Sequence, residues 1–217
     1  MKRAAFALVL ALSACLISGC RSGTSALDVR YPESGAHRAM LASVAPRRIE
    51  VGAVTDRRMD TSRIGQRPKS GANIVTDRPV TDIVREALAV ELGTNGHAVV
   101  SDGKNAVADR KDAVTDRKDA VVVTAVEEFW LDVVVGYSTT QYVGKVAIAL
   151  AVADGRSGDT LVTRRYVGIK RRQADGDSET VWREVMNAAL ARTMHDLATD
   201  PDVVATLGRL PGTERPH

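Results

Sequence analysis

Two thiols, a pair of neighbouring carboxylates and four imidazoles are the side chains whose types invite a search for chemistry. Cys15 and Cys20 are the only cysteines of the 217-residue chain, Glu127 and Glu128 are adjacent, and the histidines are His37, His97, His195 and His217. The imidazoles are scattered, and no second His, Cys or carboxylate stands at ligand spacing beside His97, so no metal centre or cofactor is expected. Gly-x-Ser-x-Gly and His-Glu-x-x-His are absent, as is any Ser-x-x-Lys with its partner motifs. Glu127 and Glu128 could share acid–base work only if both faced one substrate. They fall in an extended run, where successive side chains point to opposite faces, so the pair is expected to mark a bulge or an exposed stretch. What remains is Cys20, a thiol behind the small pair Ser18-Gly19.

The elements around Cys20 position it at a membrane. Lys2 and Arg3 precede an apolar run from Ala4 to Ile17, broken only by Ser13. That is the three-part layout of a secretory signal. As a helix the run is roughly 21 Å long, short of the about 30 Å of a bilayer core, so it is not expected to remain as a span. Leu16-Ile17-Ser18-Gly19-Cys20 resembles the lipobox of bacterial lipoproteins. The resemblance implies cleavage between Gly19 and Cys20 and lipidation of Cys20, and Arg21 in the next position implies delivery to the outer membrane, facing the periplasm. A cleaved soluble signal that happens to contain two cysteines is the alternative. Both cysteines lie in this segment, so none is left for a disulfide in the mature chain. Loss of Lys2 and Arg3 with residues 1–19 would lower the formal charge from +3 to +1. Together with an aromatic content of 4%, that gives no ground for a nucleic-acid partner.

The order expected after the signal is a lipidated tether over 20–47, one α/β domain over 48–207 and a tail over 208–217. Arg48 to Thr55 alternates as a strand. Asp56 to Arg78 reads as a long polar loop, and Arg57, Arg58, Arg63 and Arg67 make it the expected partner-binding surface. Val80, Ile83, Val84, Ala87, Leu88 and Leu92 predict a helix behind Pro79, with Asp77 as its N-cap. A short strand is expected at 97–100, with His97 at its edge. Residues 106–112 and 113–119 form a tandem heptad differing at one position, read as a local duplication in a solvated loop and too short for a coiled coil. Runs at 121–126, 129–135, 142–152 and 161–169 predict an antiparallel meander. Val181, Trp182, Val185, Met186, Ala189, Leu190, Met194 and Leu197 predict a last long helix lying on it, with a short helical turn from Pro201 to Leu207. The fold class expected is therefore α/β (α+β), with a mainly antiparallel sheet of about five strands and two amphipathic helices packed on one face.

This order, with Val51-Gly52-Ala53-Val54-Thr55-Asp56-Arg57-Arg58, then Ile64-Gly65 and the two helices, resembles the YajG-type family of bacterial outer-membrane lipoproteins over roughly residues 27–207. More distantly it is similar to the auxiliary lipoproteins of envelope ABC transporters. The tandem heptad departs from that pattern. The resemblance brings no catalytic residues. It implies a non-enzymatic lipoprotein with an accessory or binding role in envelope assembly or transport, taking an envelope protein or peptidoglycan as partner. A periplasmic hydrolase and a carrier of small molecules or lipids are the alternatives.

Overall fold

The computed structural model describes residues 24–32, 37–101 and 118–211. The signal segment with Gly19 and Cys20, the tandem heptad except its last two residues, and the end of the tail lie outside them. In chain order the elements are β1 (Ser25–Leu27), a 3-10 turn (Met40–Ser43), β2 (Arg48–Asp56), β3 (Gly65–Gln66), β4 (Asn73–Thr76), α1 (Val80–Thr94), β5 (Ala98–Ser101), β6 (Ala120–Val135), β7 (Thr140–Asp154), β8 (Thr160–Ala174), α2 (Glu179–Ala198) and α3 (Pro201–Arg209).

The sheet is mixed and eight-stranded, not an antiparallel sheet of about five. β2, α1 and β5 form a crossover unit, so β2 pairs β5 in parallel, and β2 also pairs the first half of β6 in parallel. Beyond the end of β2 the second half of β6 takes β3, and β4 and β1 extend that side. The other edge of β6 carries the expected meander, β6 to β7 to β8, antiparallel throughout. The two runs at 121–126 and 129–135 are one strand, joined through a bulge between Val126 and Glu128.

α1 lies on β2 and β5, α2 lies on β7 and β8, and the two helices touch. The predicted apolar stripes are buried on both, including Trp182, Met186 and Met194 on α2. α3 is a third helix, capped by Asp200, whose carboxylate accepts from the amides of Asp202 (2.8 Å) and Val203 (3.3 Å). The N-cap position of α1 is Pro79, with no side-chain cap. Asp77, the expected cap, pairs instead with Arg30 at 2.7 Å. α2 approaches the sheet where side chains are missing from it. A Cβ at Gly144 would stand 2.8 Å from the carbonyl oxygen of Val185, and one at Gly168 would run into the Ala189 carbonyl and the Thr193 hydroxyl. Thr193 uses that proximity to donate to the carbonyl of Val146 at 3.2 Å.

The described residues of the expected tether belong to the domain. Leu27, Val29, Tyr31, Leu41 and Val44 are all buried in the core. Polar bonds hold the same segment: the Tyr31 hydroxyl donates to Glu91, Asn95 donates to the other Glu91 carboxylate oxygen at 3.1 Å, and the amide of Ala39 donates to Asn95 at 2.8 Å. Burial, followed by the hydrogen bond to Glu91, drives the Tyr31 phenol far above the usual tyrosine range.

Candidate functional site

The four arginines expected to present themselves to a partner are placed differently from one another. Arg57 is exposed, and its amide donates to the carbonyl of Val126 at 2.8 Å. The Arg58 side chain is 7% exposed and works inward: it holds Asp56 at 2.8 Å and donates to the carbonyls of Arg63 (2.9 Å) and Thr61 (3.3 Å). Burial alone would raise the Asp56 carboxyl, but the bonds from Arg58 outweigh it and leave the group below the ordinary carboxylate range. Arg63 pairs with Asp60 at 2.6 Å and lies over the Trp130 ring at 5.8 Å. Arg67 pairs with Asp177 and Glu179, donates to the Ser25 hydroxyl at 3.0 Å, and stacks on Trp182 at 4.8 Å. Arg63 and Arg67 thus fasten the segment to the rest of the domain, and Arg58 folds it on itself. The segment is not the structureless loop expected: β3 and β4 lie within it, and Ile64 and Ile74 are core residues.

The folded 57–64 turn and the outer face of β6 enclose a depression of about 430 Å³. Its walls carry Met59, Glu127, Glu128, Trp130, Asp132, Lys145 and Arg165. The bulge builds it. An extra residue in β6 reverses the alternation at that point, so Glu127 and Glu128 both line the depression, and the expectation that they point apart fails there. The same reversal keeps Val126 and Phe129 in the core while Trp130 joins the outer face.

The charges in this depression are matched among themselves. Arg165 pairs with Glu127 at 2.6 Å, and Lys145 bridges Asp132 at 2.9 Å and Glu128 at 4.0 Å. The hydrogen bond to Asp132 raises the Lys145 ammonium above its ordinary range, which keeps it a cation. The Trp130 indole donates to Asp132 at 2.7 Å, and Met59 stands fully exposed at the rim. Glu127 is exposed, Glu128 is half-buried, and each has a cation within reach. The arrangement offers alternating charges around an aromatic floor with a flexible apolar side chain at its edge, the materials of a binding surface.

Two smaller depressions, each about 340 Å³, lie nearby. One sits between Arg58, Arg63 and Arg78 at the start of α1, where Arg58 and Arg63 are already bound to carboxylates. The other lies among the turns at one end of the sheet and includes Arg67, Lys69, Tyr137 and Asp177. Among the described residues no group of three or more His, Cys, Asp or Glu side chains could hold a metal ion. His97 stands immediately before β5, the outermost strand on its side of the sheet, and is buried. Its Nδ1 accepts from the Arg47 amide at 3.3 Å, and burial lowers its basicity. Among the described residues no helix is long and apolar enough to cross a membrane.

The bulge was legible as a break in the β6 pattern at Glu127-Glu128. Its consequence, two acids on one face, needed the register of the neighbouring strand. Nothing in the sequence near Met59 or Lys145 signalled that they line one depression with Trp130, because they stand 71 and 15 positions from it.

No family model matches the sequence, and no curated protein matches it. Solved structures do. The chain is similar to protein XCC0632 from Xanthomonas campestris, of family model DUF330, with a TM-score of 0.53 and 14% identity over 84% of this chain and 94% of that one. That likeness shows a shared fold. Lipoprotein GNA1162 from Neisseria meningitidis (TM-score 0.36, 15% identity, 67% of this chain and 96% of that one) and a minor lipoprotein from Acinetobacter baumannii (TM-score 0.38, 14% identity, 79% and 99%) are also similar to it.

Proposed function

We propose that the chain is a bacterial lipoprotein, anchored through a lipidated Cys20 in the outer membrane and facing the periplasm, with a non-enzymatic accessory role in envelope assembly or transport. The observation that carries the reading is the sequence Leu16-Ile17-Ser18-Gly19-Cys20 behind a basic start and an apolar run. A diacylglycerol with an amide-linked acyl chain exceeds the two signals that stable anchoring needs, at about 0.8 kcal/mol per buried methylene. The fold shared with XCC0632 is compatible with the YajG-type resemblance, which remains part of this proposal.

The depression between Met59 and Trp130 is the contact surface we assign to an envelope partner. Its ion pairs are made among its own residues, which suits recognition of a polar partner better than acid–base chemistry. The test is fractionation of cells carrying Cys20→Ala. The parent is expected in the outer membrane after a high-salt wash and the variant in the soluble periplasmic or unprocessed inner-membrane fraction. A variant that still fractionates with the outer membrane overturns the anchor.

A further inference from the structure

We propose that the end of the domain bearing the β6–β7 turn docks on the surface of the anchoring bilayer, with Tyr137 and the neighbouring Val134 and Val135 entering the headgroup layer. This inference rests on the proposed lipidation of Cys20 and adds an orientation to it.

The first ground is chain length. Thr24 is the first described residue, four positions after Cys20. Four residues reach at most about 14 Å, so whatever surface lies beside Thr24 is held within that distance of a lipidated Cys20. The second ground is which surface that is. β1 runs parallel to β4, with Ser25 opposite Ile74, so the start of β1 lies beside the β3–β4 turn. Arg67 in that turn bonds the Ser25 hydroxyl and reaches Asp177 in the β8–α2 turn. The β6–β7 turn joins them, since Arg67, Lys69, Tyr137 and Asp177 line one depression. The start of the described chain and all three turns therefore share one end of the molecule.

The third ground is what this end exposes. Tyr137 is fully exposed, and Val134 and Val135 are 56% and 47% exposed. A tyrosine has an apolar ring and a polar tip, which suits the boundary between headgroups and acyl chains. The charges around it are mixed, with Lys69 and Arg67 near Asp177 and with Arg67 paired to Asp177 and Glu179, so a zwitterionic surface fits this end better than a strongly anionic one. The 15 residues of β7 carry the β7–β8 turn about 50 Å away, far outside the headgroup layer if the sheet stands on this end.

The test uses the full-length lipidated protein in phosphatidylethanolamine vesicles containing brominated phosphatidylcholine, with flotation as a parallel reading. Tyr137→Trp and Arg156→Trp place a new indole at the near and far ends, both at exposed positions, and the unsubstituted chain supplies the signal of Trp130 and Trp182. Docking predicts that the extra emission of Tyr137→Trp blue-shifts and is quenched by the brominated lipid, while that of Arg156→Trp is not. If the proteins float and the indole at 137 is unquenched, or both indoles are quenched alike, the docking is overturned and the anchor stands. If the unsubstituted protein does not float, the anchor reading has failed and the docking falls with it.

Discussion

Replacing Gly168 by alanine tests whether α2 is seated directly on the backbone of the sheet. A Cβ at Gly168 would overlap the carbonyl oxygen of Ala189 and the hydroxyl of Thr193, and would lie 2.8 Å from the Thr193 amide nitrogen. Two of those atoms are backbone, so the methyl group can be admitted only by moving the helix, which also carries the fully buried Trp182, Met186 and Leu190. Overpacking of this kind costs typically 1–3 kcal/mol, and the depth of the overlap places Gly168→Ala near about 3 kcal/mol. Alanine restricts the unfolded chain more than glycine does, which offsets roughly 0.5–1 kcal/mol. The net loss, about 2–2.5 kcal/mol, corresponds to a fall in Tm of roughly 4–10 °C for a domain of this size. The control is Gly93→Ala in α1, where a Cβ would meet nothing within 4 Å. That change should stabilise by up to about 1 kcal/mol through helix propensity. Thermal melts of the two variants followed by circular dichroism are the assay. A Gly168→Ala protein that melts with or above its parent would refute the close seating of α2.

His97 should give the domain a pH dependence of known sign. Burial holds its folded-state pKa below the ordinary value of 6.5, so the unfolded chain takes up the proton first, and stability present above about pH 6.5 should be lost as pH falls toward the folded-state value. Melting temperatures between pH 7.5 and 5 should fall for the parent and fall less for His97→Gln; equal slopes would dissociate the effect from His97. Tyr31→Phe removes the donor to the buried Glu91, and the carboxylate left short of a partner should cost about 1–3 kcal/mol, read as faster amide exchange in residues 24–32 and 37–44. Unchanged exchange there would show that the polar network does not hold that segment. Crosslinking of intact envelopes should recover a partner with the parent and lose it with Trp130→Ala and Met59→Ser; recovery undiminished in both would move the contact surface elsewhere. Deleting residues 56–78 would be a poor substitute, because Ile64 and Ile74 are core residues.

Long elements announced themselves in the sequence, and short ones did not. α1, α2 and the three long strands carry enough periodic apolar residues to reveal their type and buried face, because burial of a stripe or a face is what stabilises them. β3 has two residues and β1 three, and each exists through pairing with a distant strand, Gly65 with Leu131 and Ser25 with Ile74. No local pattern can encode that. The mixed character of the sheet was recoverable in part. A strand, a helix and a strand in sequence favour a parallel crossover, whereas the insertion of β2 between β5 and β6 depends on contacts across more than 60 residues. The segment from Leu27 to Val44 looked like tether because its apolar residues follow neither period. They are fixed one by one, Tyr31 by Glu91 and Ala39 by Asn95, rather than as a face. The candidate surface was half visible: Glu127-Glu128 marked the bulge, but strict alternation gave the wrong faces because a bulge is where alternation stops.

Mass spectrometry of the N-terminal peptide of protein isolated from its native envelope tests the lipoprotein reading most directly. The account predicts a chain that begins at Cys20 and carries a diacylglycerol on the thiol and an acyl group on the amine. A chain that retains Met1, or one that begins elsewhere with an unmodified residue, would contradict it.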